Sequence, residues 1–439
     1  MSNSNYLKFL NQVIRFRLNR ELKKENAEMP KFVSNGEDSE LSRFFRENSL
    51  SDPEMITVLL ALAPHLLPDF FNSVVFSFFP NGGDFPEFGG AKGKNHRGIL
   101  PTGETVLYVL AGNDPDLRSA FVHFFSEDHL FAKKNLLYLE DVPPGEPQMS
   151  GRLVMEQDFI ELFTTGKTSR PRLSSDFPAQ FIETGLEWKD LILNEKTTNQ
   201  IAEIETWLNH NETLMNDWDM KSRIKPGFRV LFSGPPGTGK TLTATLLGKY
   251  TGRDVFRIDL SLVVSKYIGE TEKNLSRLFD RAKNKNWILF FDEADAIFGK
   301  RTSVRDAHDK YANQEVSYLL QRIESHPGLV ILASNLKSNI DSAFTRRFNA
   351  IIEFEIPSAQ ERLILWQNNI PKNVRLDDQV KLEEIARKYE VNGANIVNII
   401  HFACLKTLEK GSETISLSDL LFGIQKEYVK EGKMINLNL

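Results

Sequence analysis

A single cysteine, Cys404, occurs in the 439 residues, which excludes an internal disulfide. It lies in an apolar helical pattern, and this predicts a buried thiol in a reducing, cytoplasmic compartment. Long hydrophobic runs are also missing. The segment from Met55 to Ala63 is followed at once by Pro64, His65, Pro68 and Asp69, far short of the roughly 20 apolar residues that cross a bilayer, so no membrane span is expected. Basic residues are not in excess: 54 Lys and Arg stand against 59 Asp and Glu, a net charge of -5. That balance gives no general attraction to nucleic acid or anionic membrane, and only a local basic patch would make one. No fixed repeat or low-complexity tract is present, which excludes solenoids and arrays. What remains, 41% apolar and 26% charged residues, is the composition of an ordinary globular chain long enough for about three domains.

The amino terminus has Tyr6, Phe9, Leu10, Val13 and Ile14 at helical spacing and no small-residue cleavage site. It reads as a helix docked on its own domain, with a membrane-surface or partner-binding helix as the alternative. Gly and Pro punctuate Phe78 to Gly103, a long loop or hairpin tip carrying Lys92, Lys94, His96 and Arg97. Helical patterns over 102–111 and 114–125 and a short strand-like NLLYLE at 135–140 complete a small, mostly helical domain over residues 1–165, the expected partner-binding part. Residues 166–186, polar and proline-bearing, read as a linker. Gly166-Lys167-Thr168 within it lacks the context of a phosphate loop.

From 187 to 356 apolar runs alternate with amphipathic helical patterns: FRVLFS, DVFRIDL, WILFFDE and LVILASN. Runs apolar on both faces belong to a parallel sheet covered by helices. Beyond Pro357 strands are not expected, and residues 357–439 read as helices over 358–370, 377–389, 394–408 and 418–430. The first opens with the capping box Ser358-Ala359-Gln360-Glu361. Residues 357–439 are therefore expected to form a helical lid.

The chemistry lies in SGPPGTGKTLT, Ser233 to Thr243. Gly234-x4-Gly239-Lys240-Thr241 follows a strand and opens a helix, the context a phosphate loop requires. Its glycines let backbone amides converge on phosphate oxygens at the positive end of the helix. The predicted nucleotide-binding set is Gly234, Pro235, Pro236, Gly237, Thr238, Gly239, Lys240, Thr241 and Leu242. Lys240 is expected on the β- and γ-phosphates, and the Thr241 hydroxyl on Mg²⁺. In ILFFDEAD, Asp292 and Glu293 emerge at the carboxyl end of a buried strand, Asp292 for the metal and Glu293 as general base toward water. The letters D-E-A-D also occur in nucleic-acid helicases, but the rest of the chain does not support that class. Asn335 ends LVILASN, suited to sit between metal-bound water and γ-phosphate or merely to cap the strand. Arg346 and Arg347 read as surface charges or as arginine fingers on a neighbouring subunit's γ-phosphate.

In that order, and followed by a helical domain, these motifs resemble the AAA+ ATPases, specifically the classical AAA branch, over about residues 187–428. The resemblance implies ATP and Mg²⁺, a parallel five-stranded sheet with a helical lid, and six-membered rings of self-assembled subunits with ATP between them. It further implies that LEWKDLIL (186–193) flanks the adenine, that Gly393 and Ala394 approach the nucleotide, and that Tyr267, Ile268 and Gly269 form a pore loop gripping polypeptide. Residues 299–315, with His308, match the second pore loop. A narrower resemblance, carried by WLNHNETL and the stretches from FSGPPGTGKTLT to GLVILASNLKSNID, is to stand-alone bacterial AAA ATPases encoded with phage-tail-like contractile injection systems. Those carry a smaller amino-terminal domain, often winged-helix-like. The expected function is a ring ATPase that remodels, unfolds or disassembles proteins, tail proteins of such systems among them. An ATP-switched assembly scaffold and a nucleic-acid translocase are the alternatives.

Overall fold

The computed structural model describes residues 3–23, 28–32, 39–79, 85–174, 177–263, 270–283, 285–294, 307–335 and 346–433. The chain divides into two compact units between Arg170 and Pro171.

In the first unit the helices are α1 (Ser4–Lys23), α2 (Glu40–Glu47), α3 (Asp52–Leu66), α4 (Phe70–Phe76), α5 (Gly103–Ala111), α6 (Pro115–Phe121), α7 (Leu130–Lys133) and α8 (Gln157–Thr165). Two antiparallel pairs accompany them, β1 (Ala91–Lys92) with β2 (Ile99–Leu100) and β3 (Leu137–Leu139) with β4 (Leu153–Met155). The apolar stripe of α1 is buried in this unit's core with residues of α3 and α5, so α1 is docked on its own domain. Arg17 on α1 is buried as well, and its guanidinium donates to the carbonyls of Val109 at 3.1 Å and Leu110 at 2.6 Å. It thereby supplies donors to the carbonyl end of α5, where a helix has none of its own. The basic residues Lys94, His96 and Arg97 sit at the tip of the β1–β2 hairpin. The pattern over 114–125 ends its helix at Phe121 and finishes as a 3-10 turn. Gly166 takes a left-handed φ of 77° and closes α8, a backbone reason for the glycine in the Gly166-Lys167-Thr168 match.

The second unit is built on a sheet that has six strands among the described residues: β5 (Ala179–Ile182), β6 (Phe228–Ser233), β7 (Val255–Ile258), β8 (Ile288–Phe291), β9 (Leu329–Ser334) and β10 (Ala350–Glu353). Their order is β10-β6-β9-β8-β7-β5. The first five run parallel, as the apolar runs predict. The sixth is an addition: β5 pairs antiparallel with β7, Ala179 opposite Ile258, inside the segment read as a linker. Side chains alternate strictly between two cores. Leu231, Leu289, Phe291, Val330 and Leu332 pack on one face, and Val230, Phe232, Ile288, Phe290 and Ile331 on the other. Helices α9 (Glu195–Glu212) and α10 (Lys240–Thr251) lie on the second face. The first is covered by α11 (Leu260–Val263), α12 (Glu270–Ala282) and α13 (Ala307–Ser325).

The remaining helices are α14 (Ala359–Asn369), α15 (Leu382–Lys388), α16 (Gly393–Glu409) and α17 (Leu417–Lys430), with a core of their own around Trp366, Ile396 and Ile424. Both halves of the Ser358–Glu361 capping box form. Strands do not stop at Pro357, however. A short parallel pair, β11 (Arg375–Leu376) with β12 (Thr414–Ile415), precedes α15 and α17, and the pattern expected to be helical from residue 377 becomes helix only from Leu382. Cys404 on α16 is only partly buried, and burial raises its thiol pKa.

Candidate nucleotide site

Three strand ends meet at the carboxyl edge of the sheet. The loop after β6 turns through glycines with left-handed φ, 151° at Gly234, 75° at Gly237 and 102° at Gly239. A Cβ on Gly234 would collide with the Phe354 carbonyl, and one on Gly237 would lie 2.5 Å from Asn392 Oδ1. Only glycine fits there, on both conformational and steric grounds. The Thr238 hydroxyl closes the loop by donating to the Pro235 carbonyl at 2.8 Å. Helix α10 then begins with Gly239 as its cap and no side-chain cap. The Thr243 amide donates to the Gly239 carbonyl at 2.8 Å, and the amides before it belong to the first turn, which has no acceptor within the helix. A curled backbone running into a helix amino terminus is the donor set that an oligophosphate requires.

Lys240 is buried, and its ammonium donates to the carbonyls of Gly234 at 2.6 Å and Pro235 at 2.9 Å and to Asn335 Oδ1 at 3.2 Å. The end of β9 and the loop after β6 therefore meet at one cation. On the other side of β9, Asp292 accepts the Glu293 amide at 3.1 Å. Glu293 is exposed with a φ of 51°, a conformation that costs a non-glycine residue about 1–2 kcal/mol. The Ala294 amide anchors this turn on the Ala333 carbonyl at 2.8 Å. Adjacent strands lie about 4.8 Å apart, and β9 separates β6 from β8. The acidic turn and the phosphate loop thus face each other across roughly 10 Å, with Asn335 between them. Among the described residues no three His, Cys, Asp or Glu side chains make a metal site by themselves. The Thr241 hydroxyl and Asp292 suit a Mg²⁺ that shares its remaining shell with phosphate oxygens and water.

Beside the loop lies a cavity of about 200 Å³, walled by Leu191, Gly239, Leu242, Leu365, Ala394 and Val397. Gly393 also lines it. Its apolar walls, joined by polar side chains such as Asp190, Asn194 and Thr238, suit a flat heterocycle with polar edges. The segment 186–193 crosses this cavity's edge: Ile192 packs into the helical core and Leu193 into the sheet core. Upstream, Glu187 binds Lys249 at 2.8 Å and the Tyr250 hydroxyl, both near the end of α10. The sequence drew no attention to Lys249 or Tyr250. Asn392 donates to the Pro236 carbonyl at 3.2 Å and joins the lid to the phosphate loop.

Arg346 and Arg347 stand elsewhere, exposed and just before β10. Asn349, two residues on, exchanges bonds with Arg229 at the amino end of β6. The arginines thus lie at the opposite edge from the phosphate loop, with the six residues of β6, roughly 17–20 Å, between. They line a cavity of about 550 Å³ with Trp207, Lys225 and Glu324. Arg347 pairs with Glu324 at 2.6 Å and Lys225 with the same carboxylate at 3.0 Å. Burial alone would push the Glu324 carboxyl up, but the two cations outweigh it and hold its pKa below the ordinary value. Buried Arg229 spans Asn349, Pro226 and Glu324 with hydrogen bonds of 2.9 to 3.1 Å. A lone charge inside the apolar run FRVLFS was its only sequence signal. Tyr267, Ile268 and Gly269 lie outside the described residues. Of the second loop, residues 307–315 form the start of α13, the helix that carries His308, and the rest lies outside them.

A five-stranded parallel order with its phosphate loop on a strand flanked by two others, an acidic turn two strands away and a helical lid define a P-loop nucleotide-binding core. Residues 230–356 match the sequence model of the ATPase family associated with various cellular activities (AAA). Among the chain's relatives is the proteasome-activating nucleotidase of Saccharolobus solfataricus, 30% identical over 219 residues. The match covers 48% of this chain and 56% of that protein, about half the length of each.

Proposed function

We propose that the protein is an ATP-hydrolysing AAA ring ATPase, working in the cytoplasm, that remodels or unfolds protein substrates. The observation that carries this reading is the split of the site between two edges. Lys240, Asn335 and Asp292–Glu293 gather at one edge, while Arg346 and Arg347 face outward at the other. Arginines so placed lie too far from their own phosphate loop, and a second copy in a ring would bring them to it.

The amides from Gly237 to Thr241 would bind phosphate oxygens, with Pro235, Pro236 and Thr238 shaping the loop and Lys240 leaving its carbonyls to reach the β- and γ-phosphates. A Mg²⁺ held by Thr241 and Asp292 would supply positive charge against the phosphates. Glu293, in its strained turn, would orient the attacking water and take its proton, with Asn335 fixing that water's position. The arginines of the neighbouring copy would stabilise charge on the transferred phosphoryl group. Leu242, Gly393 and Ala394 would enclose the base.

The substrate reading rests on resemblance: Tyr267-Ile268-Gly269 would grip polypeptide in the ring's pore, and components of contractile injection particles would be what it grips. The name of the nucleotidase relative supports the ATPase part. Phosphate release by the purified chain, abolished by Lys240→Ala, tests that part. Unfolding of a tail protein fused to a fluorescent reporter tests the rest. Loss of unfolding in Tyr267→Ala with hydrolysis intact is the expected result; equal unfolding by both would overturn the pore-loop grip, and no unfolding by either would leave a scaffold that ATP merely switches.

A further inference from the structure

A polar relay runs from the phosphate loop to the last helix of the lid. Asn392 accepts the Asn395 amide on Oδ1 at 2.8 Å, so its amide nitrogen is the end that donates to the Pro236 carbonyl at 3.2 Å. Asn395 in turn accepts the Asn392 amide on Oδ1 at 3.1 Å, so its nitrogen is the end that donates to Glu427 Oε2 at 3.0 Å. Each acceptor role fixes which way the amide points. The relay therefore has one polarity, ending on a carboxylate. Asn395 and Glu427 are 9% and 6% exposed, so the link is shielded from competing water. Glu427 also accepts from Asn398 at 3.4 Å and from Lys430. At the other end the fit is tight: a Cβ on Gly237 would touch both Asn392 and Ala394.

Resting on the nucleotide reading above, we propose that Glu427 is a positioning residue for the nucleotide site, setting through Asn395 the grip of Asn392 on the phosphate loop. Glu427 lies on α17, outside the cavity. Its bond holds the start of α16, where Gly393 and Ala394 wall the cavity. Releasing it lets Asn392 turn away from Pro236 and loosens the wall.

The test is calorimetric titration of ATP and Mg²⁺ into the full chain, with Glu293→Gln throughout so that ATP is not consumed. Asn395→Asp keeps the acceptor that caps α16 but sets two carboxylates face to face. It is expected to weaken ATP roughly tenfold, the scale of one charge-assisted bond. Adding Glu427→Gln to it restores a hydrogen bond with donor and acceptor exchanged, and affinity should return to within about threefold of the parent. Asn392→Ser, which keeps a good cap and loses the donor to Pro236, should weaken ATP as Asn395→Asp does and serves if that variant fails to fold. The proposal is overturned if Asn395→Asp or Asn392→Ser binds like the parent, or if the double variant stays weak. A parent that binds no ATP would overturn the nucleotide reading itself and the relay's role with it.

Discussion

Lys240 touches both the phosphate loop and Asn335 at the end of β9, so removing it should disable binding, while removing Glu293 should spare it. We expect Lys240→Ala to weaken ATP by at least about 100-fold. Glu293→Gln should bind normally and hydrolyse some 10²–10⁴-fold more slowly, as single-turnover measurements would read. Equal losses of binding in both would contradict the division of roles. His326 makes a separate point at this scale. It is buried beside Phe279, its Nε2 has no hydrogen-bond partner among the described residues, and burial, aided by Arg322, lowers its pKa to about 4. The unfolded chain, near 6.5, then binds the proton that the folded one refuses, so stability is full above pH 6.5 and falls as the pH drops toward 4. The loss reaches about 3 kcal/mol. His326→Phe should flatten this part of the pH dependence of urea unfolding, and an unchanged slope would show that His326 does not titrate in this way.

Among the elements, β10 lay outside the apolar runs read, while β6, β7, β8 and β9 were legible as such runs, and β6, β8 and β9 lead straight into motifs with their own chemistry. Strand β5 was not legible. Its four residues follow a proline in polar surroundings, and what makes them a strand is the open edge of β7, a partner distant in sequence. Ala179 and Phe181 face the core while Gln180 is exposed, an alternation too short to stand out. Phe181 packs against Phe256, so Phe181→Ser should cost about 1–3 kcal/mol in unfolding experiments and promote aggregation through the bared edge. A fully retained midpoint would show β5 to be dispensable. The phosphate loop could be read from spacing because its geometry is local. The relay through Asn392, Asn395 and Glu427 could not, since it joins side chains 32 positions apart that become neighbours only when α16 and α17 pack. The same holds for Glu324 beneath Arg347.

For the whole molecule the central claim is that no single copy holds a complete site. Arg346 and Arg347 sit at the amino edge of the sheet and the phosphate loop at the carboxyl edge, and each copy offers both. The most direct measurement mixes two inactive chains, one with Glu293→Gln and one with Arg346→Ala and Arg347→Ala, and follows phosphate release. Within a mixed ring the first supplies arginines to the intact Glu293 of the second, so activity should reappear on mixing and rise with the fraction of mixed neighbours. Activity that stays absent at every mixing ratio, although the two chains co-assemble, would contradict the account, as would full activity of the arginine variant alone.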